Sequence, residues 1–195
     1  PFQPLKDLIV QLLALRGIHA TADQIFLTTG AQQGLHLLSQ LLIDPGQPVV
    51  LEEMIYTGIQ QAVFPREPRI LAVPTDLESG MDVTALAHTL EHSLASDQRP
   101  AFIYTIPEGH NPRGVSMSLD TRQRLIELAS AYGVPLIEDD PYGLLAYEDD
   151  ALPPLRALSD EGIFYVGSAS KILAPALRLG WMVVPEALVP KLTVV

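Results

Sequence analysis

Seven short apolar runs, most of them separated by segments of helical spacing, leave this chain few ways to bury its side chains. The runs are residues 25–29, 49–52, 69–73, 101–105, 135–138, 163–166 and 179–184. Helical spacing predicts α-helices over 31–43, 57–63, 82–94 and 119–132, and an amphipathic helix over 4–16 that Gly17 closes. Each run is almost continuously apolar, so both faces of the sheet they form need cover, and strands alternating with helices supply it in a mostly parallel arrangement. The expected fold is α/β, a three-layer α/β/α stack around a predominantly seven-stranded, mostly parallel sheet.

A length of 195 residues suits one domain with a real core, and 48% hydrophobic against 18% charged residues places the chain among globular proteins. The net charge of −11 repels a phosphate backbone, so direct nucleic-acid binding by this segment is not expected. With no cysteine, disulfide, thiolate and zinc–thiolate chemistry are excluded. Residues 24–43 lack Asp, Glu, Lys and Arg, but Thr28, Thr29, Gly30, Gln32, Gln33 and His36 make the stretch too polar for hydrocarbon, and no membrane span is expected. No basic, then apolar, signal stretch opens the chain, and a cytoplasmic location is the default expectation. The first residue is Pro1 and the last segment is Lys-Leu-Thr-Val-Val, which reads as a fragment of a longer protein.

Ligands of open parallel sheets bind beyond the carboxyl ends of the strands. The segments predicted there are Thr-Thr-Gly-Ala-Gln-Gln (28–33), Glu-Gly-His-Asn-Pro-Arg-Gly (108–114), Glu-Asp-Asp-Pro-Tyr (138–142) and Gly-Ser-Ala-Ser-Lys (167–171), followed by Arg178. Any one of them occurs in many unrelated loops. In this order and spacing, from the helix before Gly17 to Pro185, the chain resembles the fold-type I pyridoxal-phosphate enzymes. It is similar in particular to the class I/II aminotransferases, and among them to the kynurenine and 2-aminoadipate group.

The resemblance implies a large, pyridoxal 5'-phosphate-binding domain over residues 1–195, and a role for each matching residue. Lys171 would form the Schiff base with the cofactor and later act as general base; Lys6 and Lys191 are expected at ordinary solvated positions. Asp139 would keep the pyridine nitrogen protonated, so that the ring can absorb carbanion charge. Tyr142 and Asn111 would donate to the ring phenolate oxygen. Gly30, Ala31 and Gln32 at a helix start, with Ser168, Ser170 and Arg178, would hold the phosphate. Tyr56 would stack on the ring. Competing readings of the same residues are a solvated acidic turn or divalent-metal site at Glu138-Asp139-Asp140, a plain strand-to-helix turn at Gly30 and a core tyrosine at Tyr56.

Two departures from the family pattern are Met54-Ile55, where a proline usually precedes the small residue and tyrosine, and Arg113, where threonine is common; Arg113 is expected to face solvent. His88 and His92, four apart on one predicted helix, lack a third metal ligand and read as surface residues. The implied activity is transamination between an amino acid and a 2-oxo acid. The family places its substrate-carboxylate arginine in a C-terminal small domain and completes each site with the N-terminal region of a second subunit. Both segments are expected to lie outside this chain, in a full-length homodimer, and the isolated chain is expected to hold cofactor weakly and transaminate poorly. Residues 165–185 also resemble the aminotransferase-like domain of MocR/GntR-type transcriptional regulators, where the domain would sense a ligand without turnover; Asp-Asp-Pro-Tyr-Gly fits the enzymes better. A nucleotide-binding α/β domain has neither Gly-x-Gly-x-x-Gly nor a Walker loop here to support it.

Overall fold

A computed structural model describes residues 2–145 and 152–194. Helix α1 (Gln3–Ala14) leads into β1 (Ile25–Thr28), α2 (Ala31–Leu42), β2 (Pro48–Glu52), α3 (Thr57–Val63) and β3 (Arg69–Val73). A small hairpin, β4 (Thr75–Asp76) and β5 (Gly80–Met81), precedes α4 (Val83–Ala95), β6 (Ile103–Thr105), α5 (Leu119–Tyr132) and β7 (Leu136–Asp140). The one-turn helix α6 (Leu155–Leu158), β8 (Ile163–Ser168), β9 (Gly180–Val183) and the one-turn helix α7 (Val189–Leu192) complete the order.

The main sheet has seven strands in the order β1-β9-β8-β7-β6-β2-β3. β9 runs antiparallel to both β1 and β8, and the remaining pairings are parallel. Successive residues of a strand point to opposite faces, and this divides the core. On one face Val49, Leu51, Phe102, Tyr104, Ile137, Phe164, Val166 and Met182 pack against α2 and α3. On the other, Val50, Ile103, Leu136 and Ile163 pack against α4, α5 and α6, while Tyr165, Trp181 and Val183 meet α1. The three layers expected from the sequence are therefore present.

Two strands run further than their apolar runs. β7 continues past Glu138 through Asp139 and Asp140, and β8 past Val166 through Gly167 and Ser168, so these residues lie within strands rather than in the loops after them. Hydropathy ends a strand where charge begins. Here the charges stay in the sheet because partners from other elements meet them. The hairpin β4–β5 and the one-turn helices α6 and α7 are too short to give a periodic signal.

Candidate active site

Beyond the carboxyl ends of β6, β7 and β8 lies a cavity of about 260 Å³. α2 contributes Ala31 and Gln32, the loop before α3 contributes Tyr56, and the loop after β6 contributes Asn111. β7 and the turn after it supply Asp139 and Tyr142. Ser168, Ser170, Lys171 and Arg178 complete the wall. The sequence constellation, drawn from across the chain, thus meets around one space. Gly30 alone does not line it; it lies behind Arg178. Leu35, Ile106, Pro141 and Pro175 also line the cavity and carried no polar signal that would single them out.

The period of two along β7 separates its three acids. Asp139 shares the α2 face with Ile137, and Glu138 and Asp140 turn the other way. Glu138 caps α6: its carboxylate accepts from the amides of Leu155 at 2.7 Å and Arg156 at 2.8 Å. Burial, then the Asp140 charge, pushes its pKa up to about 8 against the pull of these amides. Asp140 accepts from the Gly143 amide at 2.9 Å and the Tyr165 hydroxyl at 3.0 Å, with Arg16 Nη2 3.6 Å away. Burial still raises it. Asp139 accepts from the Tyr104 hydroxyl at 2.7 Å through Oδ2, while its Oδ1 is buried without a hydrogen-bond partner. Burial pushes Asp139 up to about 7, with the Tyr104 hydrogen bond acting against that rise. A solvated acidic turn does not describe these residues, which are 1%, 3% and 7% exposed, and no group of three metal-ligating side chains occurs among the described residues.

Helix α2 starts immediately after Gly30, whose φ of 88° suits glycine alone, so its first amides open toward the cavity. Arg178, itself at φ 48°, brings its guanidinium over the same spot and donates through Nη2 to the Thr29 carbonyl at 3.3 Å. A cation set against a helix N-terminus is unfavourable on its own, since both carry positive potential. An anion between them removes the conflict. Ser168 and Ser170 stand beside them on the cavity wall, with the Ser168 hydroxyl accepting from the Ser170 amide at 3.1 Å.

Tyr56 is 38% exposed, so it lines the cavity and is not a core tyrosine. Its ring lies against Gly58, where a Cβ would overlap both the ring and Gln32 Oε1. Gln32 Nε2 donates to the Gly58 carbonyl at 2.7 Å and ties this loop to α2.

The Asn111 loop is held from beneath by residues that the sequence reading did not single out. Arg122 is fully buried and donates to the carbonyls of Pro107, Met117 and Pro153 at 2.9–3.0 Å and to Glu108 at 2.7 Å. Glu52, at the end of β2, accepts from Thr75 at 2.6 Å and Thr105 at 2.7 Å. His110 Nε2 lies 3.2 Å from the same carboxylate, a close electrostatic contact without hydrogen-bond alignment. These partners converge only in space. Arg113 is exposed, as are His88 and His92 on α4, but Lys6, expected in solvent, is buried on α1, where its ammonium donates to the Ala22 carbonyl at 3.0 Å. The two histidines, with Glu91, flank a shallow groove of about 750 Å³ between β3 and α4 that contains none of the constellation.

A mostly parallel sheet thus gathers a lysine, a buried aspartate and an arginine facing a helix start around one cavity. Residues 1–195 match the model of the family described as aminotransferase class I and II, and the chain belongs to that family. It is 36% identical over 195 residues to aromatic-amino-acid aminotransferase 1 of Thermococcus litoralis, covering 99% of this chain and 46% of that protein. An uncharacterized HTH-type transcriptional regulator of Bacillus subtilis is 32% identical over 193 residues, covering 96% of this chain and 38% of the regulator. Among solved structures, kynurenine aminotransferase of Pyrococcus horikoshii, in a complex with PMP, superposes with a TM-score of 0.93 at 37% identity over 99% of this chain and 48% of that one. The fold is thus the fold-type I aminotransferase fold, and the chain spans about half the length of the curated relatives it matches.

Proposed function

We propose that this chain is the pyridoxal-phosphate-holding large domain of an aminotransferase that passes an amino group between an amino acid and a 2-oxo acid. The observation that carries the reading is the single cavity. A primary amine, a buried carboxylate with an unpartnered oxygen, and a cation facing a helix start line one space. The donor set fits the cofactor: the buried Asp139 Oδ1 lacks a partner that a ring N–H would supply, and the α2 amides beside Arg178 lack an anion.

Bound there, pyridoxal phosphate supplies an aldehyde that reacts with amines and a ring that withdraws the electrons left when an α-proton departs. Lys171 would provide the amine that meets this aldehyde and would accept and return that proton at Nζ. Asp139 would hold the proton of the ring nitrogen, for which its unpartnered Oδ1 is available. Asn111 and Tyr142 would donate to the ring oxygen and stabilise its negative charge. Ser168, Ser170, Arg178 and the amides of Ala31 and Gln32 would hold the phosphate. Tyr56 would stack on the ring and fix its plane.

The reading extends to a cytoplasmic homodimer in the full-length protein, with small-domain and N-terminal segments completing the site. Exposed Met54, Leu173 and Leu177, close in sequence to Tyr56, Lys171 and Arg178, are apolar surface that a second subunit would cover. No described helix is long and apolar enough to cross a membrane.

The test is an absorbance titration with pyridoxal phosphate, followed by borohydride reduction and peptide mapping. A visible band in the native protein, its loss in Lys171→Ala, and label on Lys171 alone are expected; label elsewhere, or none, sinks the proposal. The similarity to a transcriptional regulator supports a second reading, in which the same cavity senses cofactor or an amino compound. Product formation by the full-length protein separates the two, since a sensor shows the band without turnover.

A further inference from the structure

Tyr104 contributes to this site without lining the cavity. It lies on β6, fully buried, in parallel register with Ile137 of β7. Asp139 is two residues beyond Ile137 and points to the same face, so the two side chains are diagonal neighbours across adjacent strands. That separation is within reach of an aromatic side chain but not of a short one. The phenol spans it and donates to Asp139 Oδ2 at 2.7 Å, a well-formed O–H···O bond.

The bond has two consequences. The terminal torsion of an aspartate is broad and nearly two-fold, so a partner on Oδ2 fixes the carboxylate plane and leaves Oδ1, buried and unpartnered, as the oxygen free to accept from a bound group. A hydrogen bond to the charged form also favours that form. The groups around the pair are Asp140 on β7, Glu52 on β2, Tyr56 from the loop before α3, and Lys171, Tyr142 and Arg178 on the cavity wall. Burial, then the Asp139 charge, raises the Tyr104 phenol well above its ordinary value, so it keeps its proton at neutral pH.

We infer that Tyr104 is the positioning residue for Asp139: its hydroxyl selects the carboxylate oxygen offered to the cofactor and holds that carboxylate ionised, so the shared proton rests on the ring nitrogen. The inference builds on the cofactor reading above. A buried aspartate without this donor is the better base of the pair and draws the proton to itself, which leaves the ring nitrogen neutral.

The experiment uses the full-length protein loaded with ¹⁵N-labelled pyridoxal phosphate. The ring-nitrogen resonance is followed across pH in the native protein, in Tyr104→Phe, and with 3-fluorotyrosine at position 104, an isosteric stronger donor that leaves packing intact. Tyr104→Phe is expected to move the resonance toward the unprotonated position and fluorotyrosine away from it. In a double-mutant cycle, Tyr104→Phe is expected to weaken cofactor binding about tenfold with Asp139 present and not at all in the Asp139→Asn background. An unchanged resonance in all three proteins, or equal loss of affinity in both backgrounds, overturns the role of Tyr104. Failure of the native protein to bind pyridoxal phosphate overturns the cofactor reading itself.

Discussion

The Arg178 guanidinium lies directly over Gly30, so close that a Cβ on Gly30 would stand 2.6 Å from Nη2. The absence of a side chain at one position is what lets the cation of the other reach the start of α2. Gly30→Ala imposes both a strained φ and a displaced arginine. The expected result is a loss of about 1–3 kcal/mol of stability together with a drop in pyridoxal-phosphate affinity of at least about tenfold, read by thermal unfolding and by cofactor titration. Retained affinity would show that Arg178 is not an anion ligand.

Gly58 plays a comparable part for Tyr56. Gly58→Ala drives the Tyr56 ring off its seat and breaks the approach of Gln32. Cofactor affinity is expected to fall in Gly58→Ala about as far as in Tyr56→Ala, and the double variant is expected to lose little more. Fluorescence titration of the three proteins checks this.

Removing Arg122 leaves Glu108 without its buried partner and takes a donor from the carbonyls of Pro107, Met117, Leu152 and Pro153. Arg122→Ala is expected to cost about 3–5 kcal/mol by chemical denaturation, the range for breaking a buried pair. A change below about 1 kcal/mol would mean that the Asn111 loop is held by Glu52 and His110 instead.

The buried acids give the cofactor-free protein a distinctive pH dependence. Asp139, raised from 3.8 to about 7, and Glu138, raised from 4.5 to about 8, bind protons more tightly folded than unfolded. Stability from this source is complete below the unfolded values and is lost as pH rises through the folded ones. The melting temperature is therefore expected to fall between about pH 4 and 8. Asp139→Asn flattens the part below about pH 7, and added pyridoxal phosphate opposes the fall by giving Asp139 a cationic partner. A melting temperature that rises across this interval would contradict the burial of these carboxylates.

Strand–helix alternation in the sequence carries the architecture because seven apolar runs leave no other way to cover a sheet. Lys171, Asp139 and Arg178 were legible through their order and spacing along the chain. What the sequence hides are relationships across the sheet. Nothing near Tyr104 indicates that its hydroxyl meets a residue 35 positions later, and Arg122 reads as an ordinary helix charge until its loop carbonyls surround it. The strand extension through Asp140 was hidden for the same reason. Its acids are tolerated by Tyr165, Arg16 and the amides of residues 155 and 156, none of them adjacent in sequence.

The alternation along β7 also makes the length of this strand as restricted as its composition. Inserting or deleting one residue between Leu136 and Asp139 would rotate every later side chain to the opposite face. Glu138 or Asp140 would then point at Tyr104, and the amides of α6 would lose their cap. Related chains can therefore vary this segment by exchanging residues, but a change in its count would remove the acid from the floor of the pocket and break its lower support in one step.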